Sequence, residues 1–119
     1  MESTAAIKRL SALAQESRLA VFRLLVRAGP EGLAAGDIAR ELATPANTLS
    51  AQLTILANAG LLASRRAGRS IIYAADYEGM SDLVVYLMED CCQGRAEVCA
   101  PAVEAASRAA CCPLPQGAR

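Results

Sequence analysis

The chain has 119 residues, the length of one domain, with 54% apolar residues, five cysteines and no histidine. Twelve basic residues balance twelve acidic ones, so the overall charge argues for no partner. The longest strongly apolar run, Leu83 to Met88, is far too short to span a bilayer. The opening "MESTAAIKRL" carries Glu2 and no long apolar core, which excludes a signal peptide and leads us to expect a cytoplasmic protein. Much of the apolar fraction is alanine and aromatics are only 3%. The core is therefore expected from Leu, Val and Ile on helices, with help from a partner chain.

In chain order, Ser3 can cap a first helix that runs to about Ala14, with Ile7, Leu10 and Leu13 or Ala14 on one face. "ESRLAVFRLLVRAG" reads as a second helix with Leu19, Phe22 and Val26 on one side, stopped by Gly29-Pro30. "LAAGDIARELA" is a short third helix, with Ile38 and Leu42 inward. Then comes "TPANTLSAQLTILANAGLL". Thr44 suits an N-cap, and Pro45 suits the first helical position. Leu49, Leu53 and Leu56 follow the spacing of a buried face, and Gly60 ends the helix. The opposite face carries Asn47, Thr48, Ser50, Gln52 and Thr54, all uncharged and good at hydrogen bonding.

"LLASRRAGRSIIYAA" breaks into two extended pieces around Ala67-Gly68, a hairpin with arginines at its tip. From Leu42 to Ala75 there is no Asp or Glu, while Arg65, Arg66 and Arg69 are present. Such a locally basic surface can bind an anion that the neutral average conceals. A last helix follows, "GMSDLVVYLMEDCC", with Met80, Leu83, Val84 and Leu87 as an apolar stripe. Gly94 and Pro101 break the pattern, and the end reads as a loose Pro/Gly tail. The expected organisation is a domain over residues 1–92 and a cysteine-containing loop and tail over 93–119. The expected fold is mainly α with a β-hairpin wing: a winged helix-turn-helix, with "ATP" as the tight turn between the third and fourth helices.

Three motifs in order resemble those of the ArsR/SmtB family of small bacterial metal-responsive repressors, over roughly residues 5 to 90. "LAQESRLAVFRLLV" is similar to that family's second-helix start. "NTLSAQLTILANAGLL" is similar to its recognition helix, with Gln52 where a histidine is common. "RRAGRSIIYA" is similar to its wing. Many arsenic and cadmium sensors of the family carry a Cys-Val-Cys type motif in the third helix. Here that region is "LAAGDIA", without a thiol, so a ligand site must lie elsewhere or not exist.

In a helix-turn-helix the second helix enters the major groove, where its N-terminal polar residues meet base edges. Asn47, Thr48, Ser50 and Gln52 are then expected near bases and Thr54 near a phosphate; Asn and Gln can pair bidentately with adenine. Arg65, Arg66 and Arg69 would touch phosphate or the minor groove. One such domain covers few base pairs, whereas a two-fold dimer reaches half-sites about 34–36 Å apart. The expected dimer surface combines Ile7 and Leu10 with Met80, Leu83, Val84 and Leu87, as in the resembled family.

The thiols are confined to the last quarter: Cys91, Cys92, Cys99, Cys111 and Cys112. In a reducing compartment such clusters bind metal or do chemistry more often than they form disulfides. If residues 91–99 stayed helical, Cys92 and Cys99 would stand about 10.5 Å apart along the axis, too far to share an ion. A helix end at Gly94 and a return loop would bring Cys99 beside Cys91 and Cys92, since seven residues reach up to about 25 Å. Zinc commonly takes four Cys or His ligands in C-x-x-C pairs, and the chain has neither histidine nor C-x-x-C. Three thiolates suit trivalent arsenic or antimony, and some arsenic sensors of the resembled family place a vicinal pair and a third cysteine at the end of the last helix. Cys91, Cys92 and Cys99 are therefore the expected As(III) site, with Sb(III) as an alternative occupant. Cys111 and Cys112 are either additional thiols or tail residues without a role.

These readings lead to an As(III)-responsive repressor that binds operator DNA as a homodimer and has no membrane association. The alternatives are a repressor responding to thiol oxidation, to cadmium, lead, zinc or antimony, or to methylarsenite. A thiol buffer would not need the polar-faced helix and wing. A phosphatase-like arsenate reductase needs an arginine six places after a cysteine, and no cysteine here has one. Without histidine there is no Ser-His or Cys-His pair either, so no enzyme is expected.

Overall fold

A computed structural model describes residues 1–89, together with 101 and 105. The chain divides into two units, Met1–Leu83 and Val84–Arg119. Five helices and three strands lie within residues 1–89: α1 Ser3–Leu13, α2 Glu16–Ala28, β1 Leu33–Ala34, α3 Ala35–Leu42, α4 Ala46–Asn58, β2 Leu62–Ala67, β3 Ser70–Ala75 and α5 Tyr77–Glu89. All five cysteines lie outside the described residues.

The helix boundaries have local causes. Ser3 is the first helical residue of α1 and not its cap; Glu2 precedes it without a side-chain bond. The Gln15 side chain accepts the Arg18 N–H at 3.1 Å and so caps α2. At its other end Gly29 takes φ +86° and donates to Leu25 O. Asp76 stands just before α5, and its carboxylate accepts the Gly79 N–H at 2.9 Å.

The sheet is antiparallel in the order β1-β3-β2. β2 and β3 form the expected hairpin, with Leu62 opposite Ala75 and Ala67 opposite Ser70. Its two-residue loop is Gly68-Arg69. Gly68 has φ +65° and Arg69 does not have a positive φ, the pattern of a type II′ turn. β1 was not expected. It is only two residues long, Leu33 opposite Tyr73 and Ala34 opposite Ile72. Gly32, at φ +71°, lets the chain pass so close to Tyr73 O that a Cβ there would collide with it.

The core joins α2, α3, α4 and the base of the hairpin. Leu25, Ile38, Leu56 and Leu61 are completely buried, with Val21, Phe22, Leu49, Leu53 and Leu62 around them. In α2 the inward face is Val21, Phe22 and Leu25, with Val26 packed against the core; of the three residues expected on one side, Leu19 departs, at 42% exposed. In α1 the buried residues are Ala6 and Ala12, one step from the expected face, and Ile7 and Leu10 are exposed. In α3, Ile38 points inward as expected.

Arg9 ties three helices together. Its Nε donates to Ala59 O at the end of α4 (2.9 Å) and its Nη1 to Gly79 O in the first turn of α5 (2.6 Å). Gly79 packs so tightly on Gly60 O that a Cβ at 79 would overlap it.

Candidate nucleic-acid interface

α4 owes its placement to the turn before it. Ala43 takes the left-handed conformation, φ 49°, and the N–H groups of Ala43 and Thr44 return to Arg40 O and Ala39 O. Thr44 does not cap α4. Its Oγ1 donates to Leu42 O at 3.1 Å, and Pro45 takes the N-cap position with extended ψ 146°. The proline ring disfavours helical geometry at Thr44, so the helix starts one residue later than the sequence suggests.

α4 then buries Leu49, Leu53 and Leu56 and leaves Asn47, Thr48, Ser50 and Thr54 exposed. Asn47 Oδ1 accepts the Thr48 N–H at 2.9 Å. Thr54 Oγ1 bends back to donate to Ser50 O at 3.0 Å. Gln52 differs from its expected neighbours. It is only 8% exposed, and its buried Oε1 has no hydrogen-bond partner among the described residues. The reason is helical phase: position 52 is three after Leu49 and four before Leu56, so it belongs to the inner face.

The hairpin sorts its arginines by face. Successive strand residues point to opposite sides, so Arg65, opposite Ile72, and Arg66, opposite Ile71, diverge. Arg65 Nη1 donates to Glu31 O at 3.2 Å, against the turn that follows α2. Arg66 shares the other face with Ile71 and Tyr73. Arg69 sits in the turn itself. All three are exposed, and the chain from Leu42 to Ala75 has no acidic residue to offset them. Among the described residues, Asp37 on α3 is paired with Arg40.

The residues expected at a dimer surface take two positions. Ile7, Leu10, Val84 and Leu87 are exposed, by 64%, 41%, 48% and 46%. Met80 packs against the core, and Leu83 is buried. No group of three or more His, Cys, Asp or Glu able to hold a metal occurs among the described residues. The expected thiol site at Cys91, Cys92 and Cys99, with Cys111 and Cys112, lies outside them. No described helix is long and apolar enough to cross a membrane. Sequence reasoning missed Gly36, Ser70 and Tyr73, which meet Ser50 and Arg69 around one concavity. They become neighbours only when β1 pairs with β3, and no local pattern announces that.

A family model described as a helix-turn-helix domain matches residues 13–65, from the end of α1 to the middle of β2. The HTH-type transcriptional regulator NmtR of Mycobacterium tuberculosis is 43% identical over 65 residues, 55% of this chain and 52% of NmtR. The chain thus spans about half the length of the curated relative it matches. Among solved structures, the AntR antimony-specific transcriptional repressor is 28% identical with TM-score 0.58, covering 81% of this chain and 83% of its own. A possible transcriptional regulator for arsenical resistance is 25% identical with TM-score 0.60, covering 67% and 80%.

The fold is a winged helix-turn-helix. In the winged helix-turn-helix, α3 and α4 are the paired helices, α4 is the second of them, and β2–β3 is the wing.

Proposed function

We propose that the chain is a transcriptional repressor of the ArsR/SmtB type, a binding protein rather than an enzyme, that holds operator DNA as a homodimer in the cytoplasm and releases it when trivalent arsenic is captured by thiolates. The observation that carries the DNA reading is one surface. The exposed amide and hydroxyl side chains of α4 stand beside an arginine-bearing wing in a stretch of chain without acids. Asn47, Thr48 and Ser50 are the residues proposed to meet base edges; Thr54, Arg66 and Arg69 are proposed for the phosphates, with Arg65 at the edge of that surface. Gln52 reaches bases only if it leaves the core. The exposed Val84 and Leu87 of α5 support a dimer, and so, separately, do the exposed Ile7 and Leu10 of α1; Met80 and Leu83 are buried or half-buried.

The inducer reading rests on donor chemistry. The chain has no histidine, and its five thiols are at Cys91, Cys92, Cys99, Cys111 and Cys112. α3 has no thiol, so a soft-ion site on this chain must use the last quarter. We assign it to Cys91, Cys92 and Cys99. The likeness to an antimony-specific repressor favours Sb(III) as a second occupant. Linkage requires that DNA weaken capture of the ion by the factor with which the ion weakens DNA binding.

A gel shift with genomic fragments upstream of the gene, with and without arsenite or antimonite, tests both parts. Retarded bands that arsenite releases support the reading, and absence of any retarded band ends it. In the same assay Cys92→Ser should keep the retarded band and lose the response to arsenite. Normal release by that variant removes the thiol site but not the DNA site.

A further inference from the structure

Between α4 and the wing lies an open concavity of about 370 Å³, lined among others by Gly36 of α3, Ser50 of α4, and Arg69, Ser70, Ile71 and Tyr73 of the hairpin. We infer that this concavity seats a phosphodiester of the DNA strand that separates the major groove from the adjacent minor groove, and that Gly36 is kept small to admit it. The inference rests on the DNA-binding reading and deepens it.

The geometry of the duplex leads there first. One sugar–phosphate strand divides a major groove about 12 Å wide from a minor groove about 6 Å wide. With α4 in the major groove and the Gly68-Arg69 turn at the minor groove, that strand must cross the surface between them. The lining suits it. Arg69 offers a planar fork of N–H donors to phosphate oxygens. Ser70 adds a hydroxyl donor, Ser50 bounds the side toward α4, and Ile71 and Tyr73 give apolar surface for the sugar. Among the described residues no acidic side chain lines the concavity, and Asp37, next to Gly36 in sequence, is paired with Arg40.

Gly36 is the second observation. The other described glycines have a reason in the backbone. Gly29, Gly32, Gly60 and Gly68 have positive φ, and Gly79 abuts Gly60 O. Gly36 has neither. It lies in the first turn of α3, where glycine is unfavourable, and among the described residues a Cβ there would meet Arg40 Nη1 at an ordinary 3.7 Å. The fold therefore does not require glycine at this position. An open floor beneath a passing DNA backbone favours a small residue there, glycine or alanine, over a long or acidic one.

The test uses the full chain with Gly36→Ala, Gly36→Glu and Arg69→Ala. Binding to a fluorescent mixed-sequence duplex of about 30 base pairs is measured by anisotropy across a salt series, beside thermal unfolding. Both Gly36 variants should unfold at or above the wild-type temperature, because each is a better helix former and Glu suits a helix N-terminus. Gly36→Glu should nevertheless bind duplex about tenfold more weakly, and Gly36→Ala within about threefold of wild type. Arg69→Ala should weaken binding about tenfold and lower the salt slope by about one. If wild type binds and Gly36→Glu matches it in affinity and slope, the seat is overturned while the DNA reading stands. If wild type binds no duplex at low salt, the DNA reading itself fails and the seat with it. A rise in unfolding temperature with inorganic phosphate that Gly36→Glu abolishes, with duplex binding unchanged by the substitution, also overturns it, in favour of a free-anion site.

Discussion

α4 and α5 are both helices of 13 residues, and both carry an apolar stripe at helical spacing. They use it differently. α4 buries Leu49, Leu53 and Leu56 almost completely and exposes a polar face. α5 buries Gly79 and Leu83, half-buries Met80, and leaves Val84, Val85 and Leu87 in the open. Equal apolarity thus marks two different destinations. α4's stripe is satisfied inside the chain, so its other face is available to a polar partner. α5's stripe is only partly satisfied, and exposed Val and Leu so close together favour a second protein surface.

The strongest way to break this comparison is to truncate one residue from each stripe. Leu53→Ala removes a side chain that is 1% exposed and should cost about 3 kcal/mol, read as a lowered urea midpoint. Val84→Ala removes one that is 48% exposed and should change the stability of dilute protein by less than about 0.5 kcal/mol. If the α5 surface meets a second copy, Val84→Glu should shift sedimentation from dimer to monomer while the far-ultraviolet spectrum stays that of the wild type. Equal costs for Leu53→Ala and Val84→Ala in dilute protein would erase the distinction.

The next effect concerns the residue that joins the two helices. Arg9 donates to Ala59 O at the end of α4 and to Gly79 O at the start of α5. Arg9→Met keeps most of the apolar stem and removes both charge-assisted bonds. It should cost about 2 kcal/mol, seen as a lower thermal midpoint and faster amide exchange near Gly60 and Gly79. Faster exchange confined to α1 would mean that the two helix ends do not depend on this guanidinium.

Most of the architecture was legible in the sequence because its signals are local. The spacing of Leu49, Leu53 and Leu56 defines α4, and Gly68 between two β-rich runs defines the hairpin. Elsewhere the signal was ambiguous or absent. α2 has Leu19, Val21, Phe22, Leu24, Leu25 and Val26 on nearly every side, so periodicity alone could not choose between Leu19 and Leu25. β1 has only two residues, neither a strong strand former, and exists because it pairs with β3. The roles of Arg9 and Gly36 are tertiary and leave no periodic trace. At the candidate interface, the hydrogen-bonding side chains of α4 could be named from the sequence, but their division between the two faces needed the helix phase.

Gln52 carries that last point to its smallest expected effect. Among the described residues its buried Oε1 has no hydrogen-bond partner, so the desolvation of that oxygen is not offset by a described bond. Gln52→Leu, close in size, should therefore be neutral or stabilise by up to about 1 kcal/mol. It should also leave affinity for DNA unchanged, because the side chain does not reach the outer face of α4 in the free protein. A variant that folds at least as stably yet binds DNA more weakly would reverse this. It would show that Gln52 leaves the core when DNA arrives, and that the inner face of α4 is less separate from its polar face than the free protein suggests.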